Sequence, residues 1–260
     1  MDVDLPDLPL LTLLAGGALV AGWIDAVVGG GGLVLIPLLL IAFPQAAPAV
    51  ALGTNKLTAV WGTATAAVLY LRRVRVDRRL LAIGVPIAGV AAVGGALAAS
   101  AVSSDVMRPF VIVVMVCVGV FVTLRPQFGA TQESTTPVSR PRFVVALCVL
   151  AVIGFYDGVF GPGTGMFLII TLTALLHQSY LQSSAMAKVA NSATNLGALA
   201  VFATQGHVLW LLGVILAVAN VVGSVLGSRL VLGRGTAIVR YALLVVVVVM
   251  AVKLSYDQFS

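Results

Sequence analysis

The sequence predicts an all-α, polytopic helical membrane protein made of two inverted-topology repeats, each with a glycine-broken helix. Three observations predict it. The 260 residues are 60% hydrophobic and 9% charged, with mean hydropathy +1.13, whereas a soluble domain carries roughly 25% charged residues. Ten apolar runs follow one another with short connections. Finally, Asp25, a glycine run and Lys56 recur as Asp157, a glycine cluster and Lys188. The spacing from Asp to Lys is identical in the two copies, so one constant offset carries the first set onto the second.

The runs cover 8–28, 33–43, 48–71, 80–102 and 107–124, then 143–160, 166–176, 183–204, 208–229 and 237–254. Eight are long enough to cross a hydrocarbon core of ~30 Å. The two short ones, 33–43 and 166–176, reach only ~16 Å. They read as half-helices, re-entrant arms, or spans extended into the flanking glycines. The whole chain, 1–260, forms one membrane domain, with repeat 1 at 8–124, a linker at 125–142 and repeat 2 at 143–254. Its acidic start, MDVDLPDLPLL, lacks the basic region of a secretory signal, so the first run reads as retained.

Loop charges give the sidedness. Arg72, Arg73, Arg75, Arg78 and Arg79 mark a cytoplasmic loop, as do Arg229 and Arg234. The linker carries Arg125, Arg140 and Arg142 against Glu133, so it is cytoplasmic too, and its TQESTTPVSRP suits a solvated hinge. The uncharged turn at Thr204 to His207 is placed outside. From linker to turn the chain must then cross an odd number of times, which a single kinked span over 143–176 would not allow. The short pieces either cross with their neighbours or form hairpins that do not. The halves insert into the cell membrane in opposite orientations, with both termini outside.

The repeat reaches beyond the charges. At the same offset Tyr70 matches Phe202, Gly95 matches Gly227 and Arg108 matches Arg240, while GWIDAVVGGGGLV faces GFYDGVFGPGTGMF. Inverted repeats with binding near the midplane are a recurring transporter plan.

Several function classes lack support. Net charge is +6 with pI near 9.8, but the arginines sit in short loops rather than on an aromatic-laced basic face, so no nucleic acid is expected. Cys117 and Cys148 lie in apolar runs without CxxC spacing and read as small core residues. His177 and His207 stand at run ends without carboxylate partners, as loop or interface residues. No GK[ST] follows a glycine cluster, and HExxH and GxSxG are absent. No enzyme, metal or cofactor is expected.

The chemistry rests on the buried charges. A charge at a helix centre costs ~2.5 to 3.5 kcal/mol on insertion scales, so Asp25, Lys56, Asp157 and Lys188 need partners or water. Two readings stay open: each aspartate pairs with a lysine and holds helices in register, or the four contact substrate and proton. Gly29, Gly30, Gly31 and Gly32, and Gly161, Gly163 and Gly165 around Pro162, should break their helices. Broken backbone at membrane depth is tolerated where it is buried or lines a wet cavity. The segment after each break starts with unsatisfied N–H groups and a positive dipole end, which with a lysine near makes an anion site. The alternative is close helix packing, the leading reading for Gly223 and Gly227. Asn55, Asn191 and Asn195 add amides near the lysines, and Thr54, Thr58, Ser192 and Thr194 add hydroxyls, for an anion or for interhelical bonds.

These residues predict a secondary transporter of a small anion. The glycines, Asn55, Lys56, Lys188, Asn191 and Asn195 would bind it, and Asp25 and Asp157 would gate it or couple it to protons. A passive anion channel and a non-transporting scaffold subunit are the alternatives.

The phrases GWIDAVVGGGGLVLIP, ALGTNKL, GFYDGVFGPGTGMF, AKVANSATNLGAL and GSRLVLGRG together make the chain resemble, over nearly its whole length, the TauE/SafE family of membrane transporters. The resemblance implies a multi-pass membrane protein exporting small sulfur-containing anions such as sulfite or organosulfonates. Family members are usually described with seven or eight spans, against the ten segments, or six spans plus two hairpins, of the parity argument. Expected partners are the anion and the lipid bilayer, with self-association left open.

Overall fold

The computed structural model describes residues 5–103, 105–107, 109, 112–114, 117 and 139–234. Eight helices can be bounded among the described residues: α1 (Leu8–Val28), α2 (Gly32–Ala42), α3 (Pro48–Leu71), α4 (Arg78–Ser100), α5 (Arg140–Val159), α6 (Thr164–Leu176), α7 (Tyr180–Thr204) and α8 (Trp210–Arg234). The runs 107–124 and 237–254, most of the linker, and the Arg108/Arg240 match fall largely or wholly outside the described residues.

Local chemistry sets the helix ends. Asp7 caps α1, its carboxylate accepting from the Leu10 N–H at 3.3 Å, with Pro9 in the first turn. The helix stops at Gly29, whose φ of 86° reverses the chain while its N–H returns to Asp25 O at 2.7 Å. Asp77 caps α4 through the Arg79 and Leu80 N–H groups. Ser179 and Gln182 form a capping box at the start of α7.

By length and composition, α1, α4, α5 and Trp210–Gly233 of α8 can cross a membrane. Helices α3 and α7 are as long, 24 and 25 residues, but hold most of the buried polar side chains, the two lysines included. Val90, Val152 and Val218 are 72%, 69% and 66% exposed. Such outward apolar faces suit lipid as solvent.

Contacts fix the relative directions. Asn220 Nδ2 donates to Ala18 O at 3.0 Å and Ser224 Oγ to Gly22 O at 3.2 Å, so α1 and α8 run the same way. Gly227 faces this seam, where a Cβ would stand 2.6 Å from Trp23 O. That fits the close packing expected of Gly223 and Gly227. Helix α3 joins them in parallel, with Thr54 against Leu209 and Gly62 against Asn220. Likewise α4 and α5 are parallel, with Gly84 facing Leu150, Ala88 facing Gly154 and Ala92 facing Gly158. Helix α7 lies along α4, with Ala193 against Gly89 and Gly197 against Val93.

Helices α3 and α7 are antiparallel where the two groups meet. Gly53 near the start of α3 packs on Phe202 near the end of α7. At the opposite end, Tyr70 of α3 and Tyr180 of α7 donate to neighbouring carbonyls of α1, Ala26 O and Val27 O. Two oppositely directed three-helix sheaves result, one of α1, α3 and α8, the other of α4, α5 and α7. Each sheaf thus takes one of its long helices from the other part of the chain. The pairs α1/α5, α2/α6, α3/α7 and α4/α8 all begin at the offset that separates Asp25 from Asp157.

Helix α2 folds back along α1, with Gly17 facing Leu38 and Gly31 facing Ala21 and Asp25. It is a return arm, not the continuation of a kinked span. Its counterpart α6 packs between α5 and α7.

The arginine-rich segments gather at one end. Arg79 lies over the Phe143 ring at 4.8 Å, Arg142 contacts His177 Nε2, and Val231 and Leu232 of α8 share a cluster with Tyr70, Val76, Leu80 and Tyr180. At the opposite end Ser100 contacts Gln205, and the His207 carbonyl sits over Gly53. Two expectations need correction. The segment Arg229 to Arg234 is not a loop, because α8 continues through it. Cys117 and Cys148 are exposed rather than in the core: in lipid an apolar run turns one face outward, so an apolar neighbourhood in sequence does not imply burial.

Candidate functional site

Each buried aspartate pairs with the lysine that lies farther from it in sequence, across the sheaf boundary. Lys56 on α3 meets Asp157 on α5 at 2.9 Å, and Lys188 on α7 meets Asp25 on α1 at 3.0 Å. The side chains are 1% and 2% exposed in the first pair, 0% and 12% in the second. Both aspartates stand in the last turn of a broken helix, where the partial negative charge of the dipole disfavours a carboxylate. A lysine delivered from across the sheaf boundary offsets that charge, and either lysine left alone would be a buried unpaired cation.

The glycine breaks touch each other. Gly161 and Gly163 hold φ of 93° and 77°, a region costly for residues with a Cβ. A Cβ on Gly165 would lie 2.6 Å from the Gly29 Cα, and one on Gly161 would lie 2.7 Å from Lys56 Nζ. Glycine here is therefore required both for turning and for the close approach of the two arms.

Beside the crossing breaks lies a polar cavity of ≈ 20 Å³, room for about one water. Asp25, Gly29, Gly31, Gly32, Asn55, Lys56, Asp157, Gly161, Asn191 and Asn195 line it. Of the site residues expected from sequence, Gly30, Gly163, Gly165 and Lys188 lie at or behind the breaks but not on its wall. Asn220 of α8 is on the wall and sequence reasoning missed it. Its signal was an amide inside an apolar span, ILAVANVV, but the equivalent position in the first repeat is Ala88, so a search for repeated polar residues passes over it.

The neighbouring hydroxyls serve the helices. Thr54 Oγ1 accepts from the Leu209 N–H at 3.1 Å, Thr58 donates to Thr54 O at 3.0 Å, Ser192 to Lys188 O at 2.7 Å and Thr194 to Asn191 O at 3.0 Å. By contrast the Asn55 and Asn195 side chains make no hydrogen bond among the described residues, and Asp157 Oδ2 is buried without a partner. Natural proteins rarely leave so many polar groups unmatched in one place.

Apolar clusters flank the cavity toward both ends. On the arginine-rich side stand Val27, Val28, Leu33, Met166 and the two tyrosines, and on the other Leu14, Leu39, Val50 and Leu209, with Ile36, Leu57 and Phe202 beside them.

Lipid-suited spans, return arms and paired charges around a small polar cavity define a polytopic helical membrane protein with an internal site. The family described as Sulfite exporter TauE/SafE matches residues 14–254. The chain is 35% identical over 249 residues to "Probable membrane transporter protein YfcA" of Escherichia coli K12, covering 96% of this chain and 91% of that protein. It is 36% identical over 253 residues to "Probable membrane transporter protein ORF9" of Sinorhizobium sp, covering 95% and 93%. A Haemophilus influenzae protein named "Probable membrane transporter protein" is 32% identical over 249 residues, covering 96% of each chain. No solved structure matches the chain. The chain belongs to the TauE/SafE family, as its sequence phrases suggested, and is a membrane transporter.

Proposed function

We propose that this protein is a secondary transporter that exports small oxyanions, of the sulfite and organosulfonate kind in the family's name, by alternating access around the central cavity. The observation that carries the reading is the meeting of two glycine breaks and two cross-repeat ion pairs around a small polar cavity flanked by apolar clusters. A cavity with room for one water does not hold a sulfonate, so binding requires the sheaves to part. The small volume of the cavity and the apolar clusters flanking it support alternating access over a standing pore. The antiparallel sheaves and the common offset between paired helices support two inverted halves, 8–124 and 143–254, joined by the linker 125–142.

The charges balance before the substrate arrives, with two carboxylates against two ammonium groups. An entering anion competes with a carboxylate for lysine, and the displaced aspartate is neutralised by a proton or moves with its helix. Asp25 and Asp157 thereby couple occupancy to helix position. The gathering of arginines at one end supports a cytoplasmic location for that end and the linker, and hence both termini outside in a cell membrane.

The test is flux in liposomes with sulfite, an organosulfonate and an unrelated carboxylate, each with and without a pH gradient. Saturable, sulfur-selective flux is expected. Non-saturating flux would favour a channel, and absence of flux with a copurifying partner would favour a scaffold. Wild-type flux after neutralising both Lys56 and Lys188 would sink the site assignment.

A further inference from the structure

We infer that the two ion pairs have divided the work: Lys56 and Asp157 form the pair that engages the oxyanion, together with Asn55 and Asn195, while Lys188 and Asp25 anchor the α1 break. The ligand class rests on the transport reading above; the division itself does not.

Three observations carry it. First, Lys56 lines the cavity and Lys188 does not. Among the described residues Lys56 reaches only Asp157 Oδ1, whereas Lys188 donates to both the Asp25 carboxylate and the Asp25 backbone carbonyl. An ammonium held by two acceptors of one residue leaves little for a ligand.

Second, the two broken helices end differently. The final carbonyls of α1 are capped in succession: Asp25 O by Lys188 and the Gly29 N–H, Ala26 O by Tyr70, and Val27 O by Tyr180. The positions equivalent to Tyr70 and Tyr180 are Phe202 and Pro48, neither of which carries a hydroxyl. The carbonyls of Asp157, Gly158 and Val159 accordingly receive no side-chain hydrogen bond among the described residues. Capped carbonyls tie α1 to α3 and α7, and α5 is free of that tether.

Third, unmatched polar groups stand beside Lys56 on the cavity wall. Asp157 Oδ1 accepts from both Lys56, at 2.9 Å, and Thr164, at 2.7 Å, while Oδ2 is buried and unpartnered. Asn55 and Asn195, 4% and 3% exposed, face the cavity with unpaired amides. Two amides and an ammonium converging on one space are donors suited to the oxygens of a small oxyanion.

The test compares Lys56→Gln with Lys188→Gln in the full chain, by melting temperature in detergent without ligand and by sulfite flux in liposomes. Lys188→Gln should lower Tm by at least about 4 °C more than Lys56→Gln. Lys56→Gln should abolish saturable flux with Tm near wild type. A Lys188→Gln protein that fails to fold while Lys56→Gln folds also supports the anchor. Tyr180→Phe then gives the second measurement, a lowered Tm with unchanged KM. Equal Tm losses for the two lysine variants, or flux lost at unchanged Tm in Lys188→Gln, would overturn the division. If wild-type protein moves no oxyanion, the transport reading fails, and the melting comparison still decides whether Lys188 is the anchor.

Discussion

The break after α1 and the break after α5 share a sequence plan, yet they are finished to different standards. At α1 a single glycine turns the chain, three side chains cap the exposed carbonyls, and the lysine is doubly held. At α5 two glycines with positive φ turn it, and no side chain caps the carbonyls among the described residues. Both breaks share the same frame of charge, hinge and short following helix. The departures from it, at Tyr70, Tyr180 and Asn220, give the frame a fixed side and a responsive side.

Substitution at the hinges should show that contrast most strongly. A Cβ on Gly29 would press on the backbone of Gly165 and Met166, whereas one on Gly161 would meet the movable ends of Lys56 and Asp157. Both also incur the left-handed strain of about 1–2 kcal/mol. Gly29→Ala is expected to abolish recovery of monodisperse protein, and Gly161→Ala to give folded protein without flux, as size-exclusion profiles and liposome assays would show. Equal tolerance at the two sites would erase the distinction.

Removing the tyrosine hydroxyls comes next. Hydrogen bonds inside membrane proteins average about 0.6 kcal/mol, so Tyr70→Phe with Tyr180→Phe should cost about 1 kcal/mol and lower Tm by a few degrees. Hydrogen exchange should rise at residues 26–30 and stay level at 158–162. A rise at both breaks would mean that the caps act on the whole bundle.

The smallest effect is expected at Asn195. Its amide has no protein partner among the described residues, so Asn195→Ala should leave Tm unchanged and raise KM for sulfite several-fold, about 1 kcal/mol of lost hydrogen bonding. Lower Tm with unchanged KM would make Asn195 a packing residue.

Much of this frame was legible in the sequence because burying charge and breaking helices in lipid are costly events that leave marks. The run 48–71 coincides with α3, and the other described runs begin or end within a few residues of their helices. The short runs appear as short helices, and the arginines share one end. What hydropathy does not encode is which helix lies beside which. The equal Asp-to-Lys spacing left the choice of partner open, whereas Lys56 reaches Asp157 and Lys188 reaches Asp25. Tyr70 showed only as half of a match with Phe202, although the lost hydroxyl at Phe202 is what separates the two ends. Asn220 is invisible to a repeat search because its counterpart is alanine.

The exchange of α4 and α8 between sheaves also bears on how the molecule is made. The broadest seam of α1 is with α8, and its hydrogen bonds join residues 202 positions apart. At about 5–20 residues per second, α1 waits on the order of 10–40 s in the bilayer before its partner has been synthesised. During that interval its glycine-lined groove is open to other helices, so assembly depends on α1 staying unmated until the last described helix arrives. Splitting the gene at the linker would leave each fragment without the helix that completes its sheaf.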